Sequence, residues 1–336
     1  MIRVLIVDDS ALMRKMIKDL LNSDPEVTVV GTAVNGVDAL EKIRELSPDV
    51  VTLDVNMPKM DGLETLKRIM SEHPLPVVML SNLTKEGAEA TLKALEYGAV
   101  DYIAKPSGEI SLDIEKVRGE LITKVKTAAR AKLIRHKPIL PLEISSCKID
   151  RVVLIGASTG GPPAIEKILS CLPEAAPPIL IVQHMPPGFT RSFAERLNRY
   201  CKFEVKEAEE GDRIQPGKAL IAPGGYHMIV GSDKRVHLDE SPPIHGVKPA
   251  VDPMMMTAAE VFKSKNVGVL LTGMGSDGAL GMKMVKQHGG YTIAQDEETS
   301  VIFSMPKAAI EAGCVDKILP LAEIPIEIMR VCGVSS

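Results

Sequence analysis

Two rhythms of apolar and polar residues take turns along this chain. Arg3-Val-Leu-Ile-Val7 is a short apolar run of the length and β-branched character of a strand buried on both faces. It ends in Asp8-Asp9. Ser10 then stands where a helix N-cap would, ahead of Leu12, Met13, Met16, Ile17, Leu20 and Leu21, which are spaced for one face of a helix. Further strand runs read at Val27–Gly31, Val50–Asp54, Val77–Ser81 and Val100–Ala104, separated by helical patterns such as Gly36–Leu46, Glu64–Glu72 and Lys85–Tyr97. Five strands alternating with helices predict a doubly wound parallel sheet.

The alternation then breaks. From Glu115 to Lys137 there are eight Lys/Arg against two Glu, 8 − 2 = +6. Val117, Leu121 and Val125 keep helical spacing, so the segment begins as the last helix of the first domain. Through Arg135-His-Lys-Pro138 to Cys147 it reads as a linker, whose charge suits a solvated surface or a docking segment for a partner. From Arg151 the alternation restarts, with strands at Arg151–Ile155, Ile179–Gln183, Lys218–Ala222, Val267–Thr272 and Tyr291–Gln295, and two short ones, Met228–Gly231 and Arg235–Leu238, placed to form a hairpin. Helices read near Pro163–Leu172, Phe189–Arg199, Asp252–Phe262, Gly278–His288 and Met305–Ala312. The expectation is two doubly wound α/β domains: residues 1–122, a linker over 123–148, and a mostly parallel α/β domain with a β-hairpin over 149–336.

Composition narrows the function. The chain has 336 residues, enough for two domains, and 45% apolar residues, enough for real cores. Its net charge, 40 − 44 = −4, and its ten aromatic residues (five Tyr, five Phe) disfavour nucleic-acid binding. Five scattered cysteines without a CxxC argue against a disulfide framework or zinc knuckle. Without a signal-like start or a long apolar stretch, the expected place is the cytosol, with no membrane insertion. Asn and Gln are scarce, as in thermophile proteins.

Asp8, Asp9, Asp54, Ser81 and Lys105 all fall at the carboxyl ends of predicted parallel strands, the edge where open α/β sheets bind ligands. Carboxylates converging there repel one another, and a divalent cation such as Mg²⁺ offsets the repulsion. A carboxylate beside Mg²⁺ can accept a phosphoryl group, whose oxygens a lysine and a hydroxyl would hold. Taken singly, Asp8-Asp9 could be helix-start chemistry, and Lys105-Pro106 or Asp61-Gly62 a turn. Together, Asp8-Asp9-Ser10, Asp54-Val-Asn-Met-Pro58, Met60-Asp-Gly62, Ser81 and Lys105-Pro106 resemble the two-component receiver domain in order and spacing. The resemblance implies a flavodoxin-like fold of five parallel strands, and that Asp54 is phosphorylated. It implies Mg²⁺ on Asp9, Asp54 and the backbone carbonyl of Asn56, with Asp8 behind or acting through water. Ser81 and Lys105 would read the phosphoryl group. Asn56 stands where close relatives usually carry Glu, which leaves the carbonyl ligand intact.

In the second half, Gly156-Ala-Ser158-Thr-Gly160 follows a buried strand and satisfies G-x-S-x-G, a tight strand-to-helix turn that presents a serine hydroxyl. The following helix would aim N–H groups at an oxyanion. Such turns also bind phosphates. His184 ends the next strand and Asp277 follows another, so a Ser–His–Asp triad could assemble on one sheet edge. Its order along the chain differs from that of the α/β-hydrolases. His245 is a rival base and Asp296 a rival acid. Asp252, before Pro253, reads as a helix N-cap; His227 and His237 as surface or packing residues; His288 as helix C-terminal chemistry; Asp212 as a turn; Cys171 as core.

Gly156-Ala-Ser-Thr-Gly-Gly161, Gln183-His-Met185 and Thr272-Gly-Met-Gly-Ser-Asp-Gly278, behind a receiver-like domain, resemble the bacterial chemotaxis protein-glutamate methylesterases. The resemblance implies Ser158 as nucleophile, His184 as general base, Asp277 as its orienting acid, and the N–H groups of Thr159 and Met274 as oxyanion donors. It implies a carboxylic ester hydrolase that demethylates glutamyl methyl esters and deamidates glutamines on the cytoplasmic helices of chemoreceptors. A chemotaxis histidine kinase would be the phosphodonor, and phosphorylation of Asp54 would relieve inhibition by the receiver. Mg²⁺ would serve the receiver alone, and a monomer is expected. Two other readings compete: a receiver fused to a DNA-binding output, disfavoured by the acidic balance, and one fused to a nucleotide-binding module, disfavoured by the lack of G-x-x-x-x-G-K-[ST] and G-x-G-x-x-G.

Overall fold

The computed structural model describes residues 1–82, 84–105, 114–134 and 150–333. The chain forms two compact units, Met1–Arg135 and His136–Ser336.

In the first unit the elements run β1 (Ile2–Val7), α1 (Ala11–Leu21), β2 (Val27–Ala33), α2 (Gly36–Leu46), β3 (Val50–Asp54), α3 (Gly62–Glu72), β4 (Val77–Ser81), α4 (Lys85–Glu96), β5 (Asp101–Ala104) and α5 (Ile114–Ala128). The strands form one sheet in the order β2-β1-β3-β4-β5, and each adjacent pair is parallel. Strand order reverses between β1 and β3, so the residues after β1 and at the end of β3 flank the crevice where such sheets bind ligands. The helices start where the sequence supplies an oxygen. Ser10 accepts from Met13 N, Asn35 from Val37 N and Asp38 N, Asp61 from Glu64 N and Thr84 from Gly87 N. Asp61-Gly62 is thus a helix start rather than a free turn. Gly62 is required there, because a Cβ would stand 2.1 Å from the Asp54 carbonyl oxygen. Helix α5 continues to Ala128, past residue 122, so residues 123–128, read above as linker, belong to that helix. Buried Val125 and Ala128 explain why it does not stop earlier. The linker residues 135–148, with Cys147, and Pro106 lie outside the described residues.

The second unit contains β6 (Val152–Ala157), α6 (Gly161–Cys171), β7 (Ile179–Gln183), α7 (Phe189–Tyr200), β8 (Glu204–Glu207), β9 (Lys218–Ile221), β10 (His227–Val230), β11 (Val236–Asp239), α8 (Val251–Phe262), β12 (Asn266–Leu270), α9 (Ala279–Gln287), β13 (Tyr291–Gln295), α10 (Met305–Glu311), β14 (Lys317–Leu319) and α11 (Ile324–Val331). Seven strands make a parallel sheet in the order β14-β13-β12-β6-β7-β9-β8, and β10 and β11 pair antiparallel as a separate hairpin. The central strands β6, β7 and β12 are buried throughout, as helices on both faces demand. The sequence pattern overlooks β8 and β14, and these are the two edges. Glu204-Val-Lys-Glu207 and Lys317-Ile-Leu319 are short and charged, which protects an edge but erases the strand signature. It also overlooks α11, whose Pro325 reads as a breaker yet sits in the first turn, where no intrahelical N–H is lost. Among the described residues, no helix is long and apolar enough to cross a membrane.

Candidate active site

Strand order in the second unit reverses around β6, and Ser158 is the residue that follows it. Ala157 is paired with Gln183 of β7, so Ser158 and His184 leave neighbouring parallel strands side by side. His184 N donates to Ala157 O at 3.2 Å. After Ser158 the chain turns at once: Gly161 N donates back to Ser158 O at 2.8 Å, and Gly160 has a φ of 76°. A side chain at Gly160 would be strained by that φ, and its Cβ would meet Val301 at 2.6 Å. Ser158 is half-buried, at the start of α6.

The third stretch comes from the loop after β12. Ser158 N donates to Thr272 O at 3.1 Å, and Thr272 Oγ1 donates to Thr159 O at 3.0 Å. Gly273 lies so close that a Cβ would stand 2.8 Å from Ser158 Cβ. Met274 therefore follows a residue in contact with Ser158, while Thr159 follows Ser158 itself. The two backbone positions expected as oxyanion donors thus border the serine from two different loops.

Asp277 is buried, and its Oδ2 lies 2.7 Å from His184 Nε2. The same oxygen accepts from Val251 N at 2.7 Å, and Oδ1 accepts from Asp252 N at 3.0 Å. Those N–H groups open α8, so the carboxylate sits on the positive end of that helix. Burial alone would raise the Asp277 carboxyl. The His184 bond and charge and the two backbone donors outweigh it and hold the carboxyl below its usual value. Because Asp277 occupies Nε2, the ring nitrogen left for a hydroxyl is Nδ1. Among the described residues no hydrogen bond joins Ser158 Oγ to the ring; bonds of this kind tighten when substrate binds.

Gln183 has a role the sequence reading did not give it. Its Nε2 donates to Ser158 O at 3.0 Å and to His184 O at 3.3 Å, tying together the two backbone segments that carry the hydroxyl and the imidazole. A buried glutamine ending a strand of Ile-Leu-Ile-Val was the available signal.

The rivals separate cleanly. His227 is buried, accepts from Ala250 N on Nδ1 and lies 3.1 Å from Pro242 O on Nε2, a packing role. His237 pairs with Glu210 and Asp233, and the bond to Glu210 leads those that raise its pKa. His288 ends α9, its Nδ1 2.8 Å from Met284 O. Asp296 accepts from Thr299 N and Thr299 Oγ1, within its own turn. Asp212 holds a turn through Glu209 N, and Cys171 is core. Asp252 is not the N-cap the sequence suggests. That position is Ala250, without a capping side chain, and the carboxylate that serves the first turn comes from Asp277. Asp252 instead accepts from Gly281 N at 2.7 Å and from His245 Nε2 at 3.1 Å.

In the first unit, Asp8, Asp9 and Asp54 offer carboxylate oxygens within 4.8 Å of one another. Lys105 Nζ lies 2.8 Å from Asp8 Oδ2 and 2.8 Å from Asp54 Oδ2. Burial pushes the Asp54 carboxyl up against the pull of Lys105. Burial would lower the lysine, but its bonds to Asp54 and Asp8 outweigh that and keep it charged. Three carboxylates against one ammonium leave an excess of negative charge and a set of hard oxygen donors, which fits Mg²⁺. Ser81 ends β4 beside them, with its hydroxyl 3.0 Å from Gly87 O. Arg14, not singled out from the sequence, donates to the carbonyls of Asp8 and Asp9 at 2.8 and 3.0 Å and braces the acidic loop. Asn56 is exposed just beyond Asp54.

Residues 153–328 match the CheB methylesterase family and residues 4–115 the response regulator receiver domain. The chain is 53% identical to a protein-glutamate methylesterase/protein-glutamine glutaminase of Pyrococcus abyssi, over 98% of this chain and 93% of that protein. It is 49% identical to one of Symbiobacterium thermophilum, over 99% and 97%. The crystal structure of the Thermotoga maritima CheB methylesterase catalytic domain aligns with 54% of this chain and 98% of its own, at 47% identity and a TM-score of 0.52. With two parallel α/β units, a serine turn beside a His–Asp pair and near-full-length likeness to these enzymes, the chain belongs to the protein-glutamate methylesterase/protein-glutamine glutaminase family.

Proposed function

We propose that this protein hydrolyses glutamyl methyl esters, and deamidates glutamines, on the cytoplasmic helices of chemoreceptors, with Ser158, His184 and Asp277 as its triad. The observation that carries the reading is the 2.7 Å bond from His184 Nε2 to a carboxylate fixed on a helix N-terminus, one strand away from a serine on a tight turn. His184 Nδ1 takes the Ser158 proton as Oγ attacks the ester carbonyl. The oxygen becomes negative between the N–H groups of Thr159 and Met274, aided by the start of α6. The intermediate collapses, methoxide leaves with the proton from His184 as methanol, and an acyl-serine remains. Water, deprotonated by the same imidazole, releases glutamate and restores Ser158. With glutamine the leaving group is ammonia. Asp277 holds the ring and its transient charge throughout.

The receiver supplies control. Asp54 accepts a phosphoryl group from a chemotaxis histidine kinase in the cytosol, and Lys105 and Ser81 bind its oxygens. Ser81 exchanges its present bond to Gly87 O for the phosphoryl oxygen. Asp9, Asp54 and the Asn56 carbonyl would hold Mg²⁺, with Asp8 behind them or acting through water, and the ion would offset the charge gathered there during transfer. Phosphorylation then relieves inhibition of the catalytic unit.

The test is methanol release from methylated receptor by the intact protein and by Ser158→Ala. The variant should lose at least about 10³-fold in turnover. Turnover within tenfold of the parent would remove Ser158 as nucleophile.

A further inference from the structure

Helices α8 and α9 begin on each other's carboxylates. Their N-cap positions, Ala250 and Gly278, supply no capping side chain. Asp277, one residue before Gly278, accepts from Val251 N and Asp252 N at the start of α8. Asp252, in the first turn of α8, accepts from Gly281 N in the first turn of α9. The position of the Asp277 carboxylate is therefore tied to how α8 and α9 start against each other, and Asp252 is the cross-link.

Asp252 Oδ2 points the other way, to His245 Nε2 at 3.1 Å. His245 sits at the tip of a two-residue turn closed by Ile244 N to Val247 O at 3.1 Å and Val247 N to Ile244 O at 3.0 Å. Its two central residues, His245 and Gly246, have φ of 54° and 78°. That is the turn which favours Asn, Asp and Gly at its first position. A histidine pays strain there, and what the strain accompanies is an imidazole laid on a buried carboxylate. Ligand atoms of His245, Asp252 and Asp277 all lie within 4.8 Å of one another. Burial, then the Asp277 charge, raise the Asp252 carboxyl against the bonds from Gly281 and His245, so this acceptor is stable only while its donors stay in place.

We propose that His245 and Asp252 are positioning residues for the hydrolysis: the His245–Asp252 bond locks the reciprocal caps and thereby aims the Asp277 carboxylate at His184. This rests on the roles assigned above to Ser158, His184 and Asp277. Among the described residues the His245 and Asp252 side chains bond each other and Gly281 N, not Ser158 or His184. They act through Asp277, so their loss shows in turnover and not in substrate affinity.

The experiment compares His245→Asn, His245→Gln and Ser158→Ala in the full chain, with a small phosphodonor and methylated receptor, reading kcat and KM. Asn favours left-handed φ, so the turn is kept while the donor no longer reaches Asp252. Gln carries an amide N–H at about the reach of Nε2. The expected result is a roughly tenfold fall in kcat for His245→Asn with KM within about twofold, and recovery of most of that loss in His245→Gln. Parental kcat in His245→Asn, equal losses in both variants, or a raised KM at unchanged kcat would each overturn the proposal. Continued turnover by Ser158→Ala would instead bring down the triad on which it stands.

Discussion

Asp54 in the first unit and Asp277 in the second are both buried carboxylates at the carboxyl edge of a parallel sheet, yet they are held by different partners. Asp54 meets the Lys105 ammonium, shared with Asp8 at 2.8 Å to each. Asp277 meets two backbone N–H groups and an imidazole. A lysine is a point charge on a flexible stem and can follow oxygens that arrive and leave. That suits a site whose charge changes when a phosphoryl group is added. Backbone N–H groups at a helix start cannot follow anything, which suits a carboxylate that must keep one orientation through a whole catalytic cycle. The titration of the two groups agrees. Burial leads at both, but Asp54 ends above the ordinary carboxylate value and Asp277 below it. The stability contributed by Asp277 is therefore complete above its unfolded value and lost as pH falls through its lower folded one.

The helix starts divide in the same way. Four helices of the first unit begin on their own Ser, Asn, Asp or Thr. In the second unit α6, α7 and α9 begin on glycine and α8 on alanine, with no side-chain cap bond. At α8 and α9, first-turn N–H groups are met instead by carboxylates brought in from elsewhere, Asp277 and Asp252.

The largest effect that sharpens this contrast is Asp277→Ala. It removes the orienting partner of His184 and leaves Val251 N and Asp252 N without their acceptor. Turnover measured by methanol release should fall about 10⁴-fold. The melting temperature should fall too, since orphaned buried donors cost about 1–3 kcal/mol. Turnover within tenfold of the parent would mean that the helix cap does no catalytic work.

Next comes Asp54→Ala, which tests the flexible side of the comparison. The parent should speed up when a small phosphodonor is added, within the ~5–150-fold span of a coupling of about 1–3 kcal/mol. The variant should show no rise at any phosphodonor concentration. A rise equal to the parent's would place the phosphoryl acceptor elsewhere.

What the sequence discloses follows the same line. Ser10 is legible as a cap because it lies only three residues from the N–H it accepts, that of Met13, and the buried strands because their apolar runs are continuous. The Ser158 turn and the His184–Asp277 pair are legible because Ser158 and His184 follow strand ends and Asp277 lies in a recognisable motif after β12. Asp252 is misread because its local context, a carboxylate before a proline at a helix start, is that of an N-cap. The true cap arrives from 26 residues away along the chain. Gln183 and Arg14 are missed for a related reason: a side chain that braces backbone carbonyls carries no periodic signature. Polar edge strands such as β8 hide because the charge that protects an edge cancels the pattern of a strand.

The smallest effect isolates the local caps. Asn35 accepts from Val37 N and Asp38 N and caps α2 from its own position. Asn35→Ala should cost about 1 kcal/mol and lower the melting transition of the receiver unit by roughly 4 °C. Methanol release should remain that of the parent, because the hydrogen bonds described for Ser158, His184 and Asp277 come from the second unit's own residues. If caps near and far were equivalent, this variant would slow turnover as Asp277→Ala does. If local capping carried no weight, the transition would not move. A modest loss of stability at full turnover is the result that keeps the two kinds of helix start apart: one supports a fold, the other also aims a reacting group.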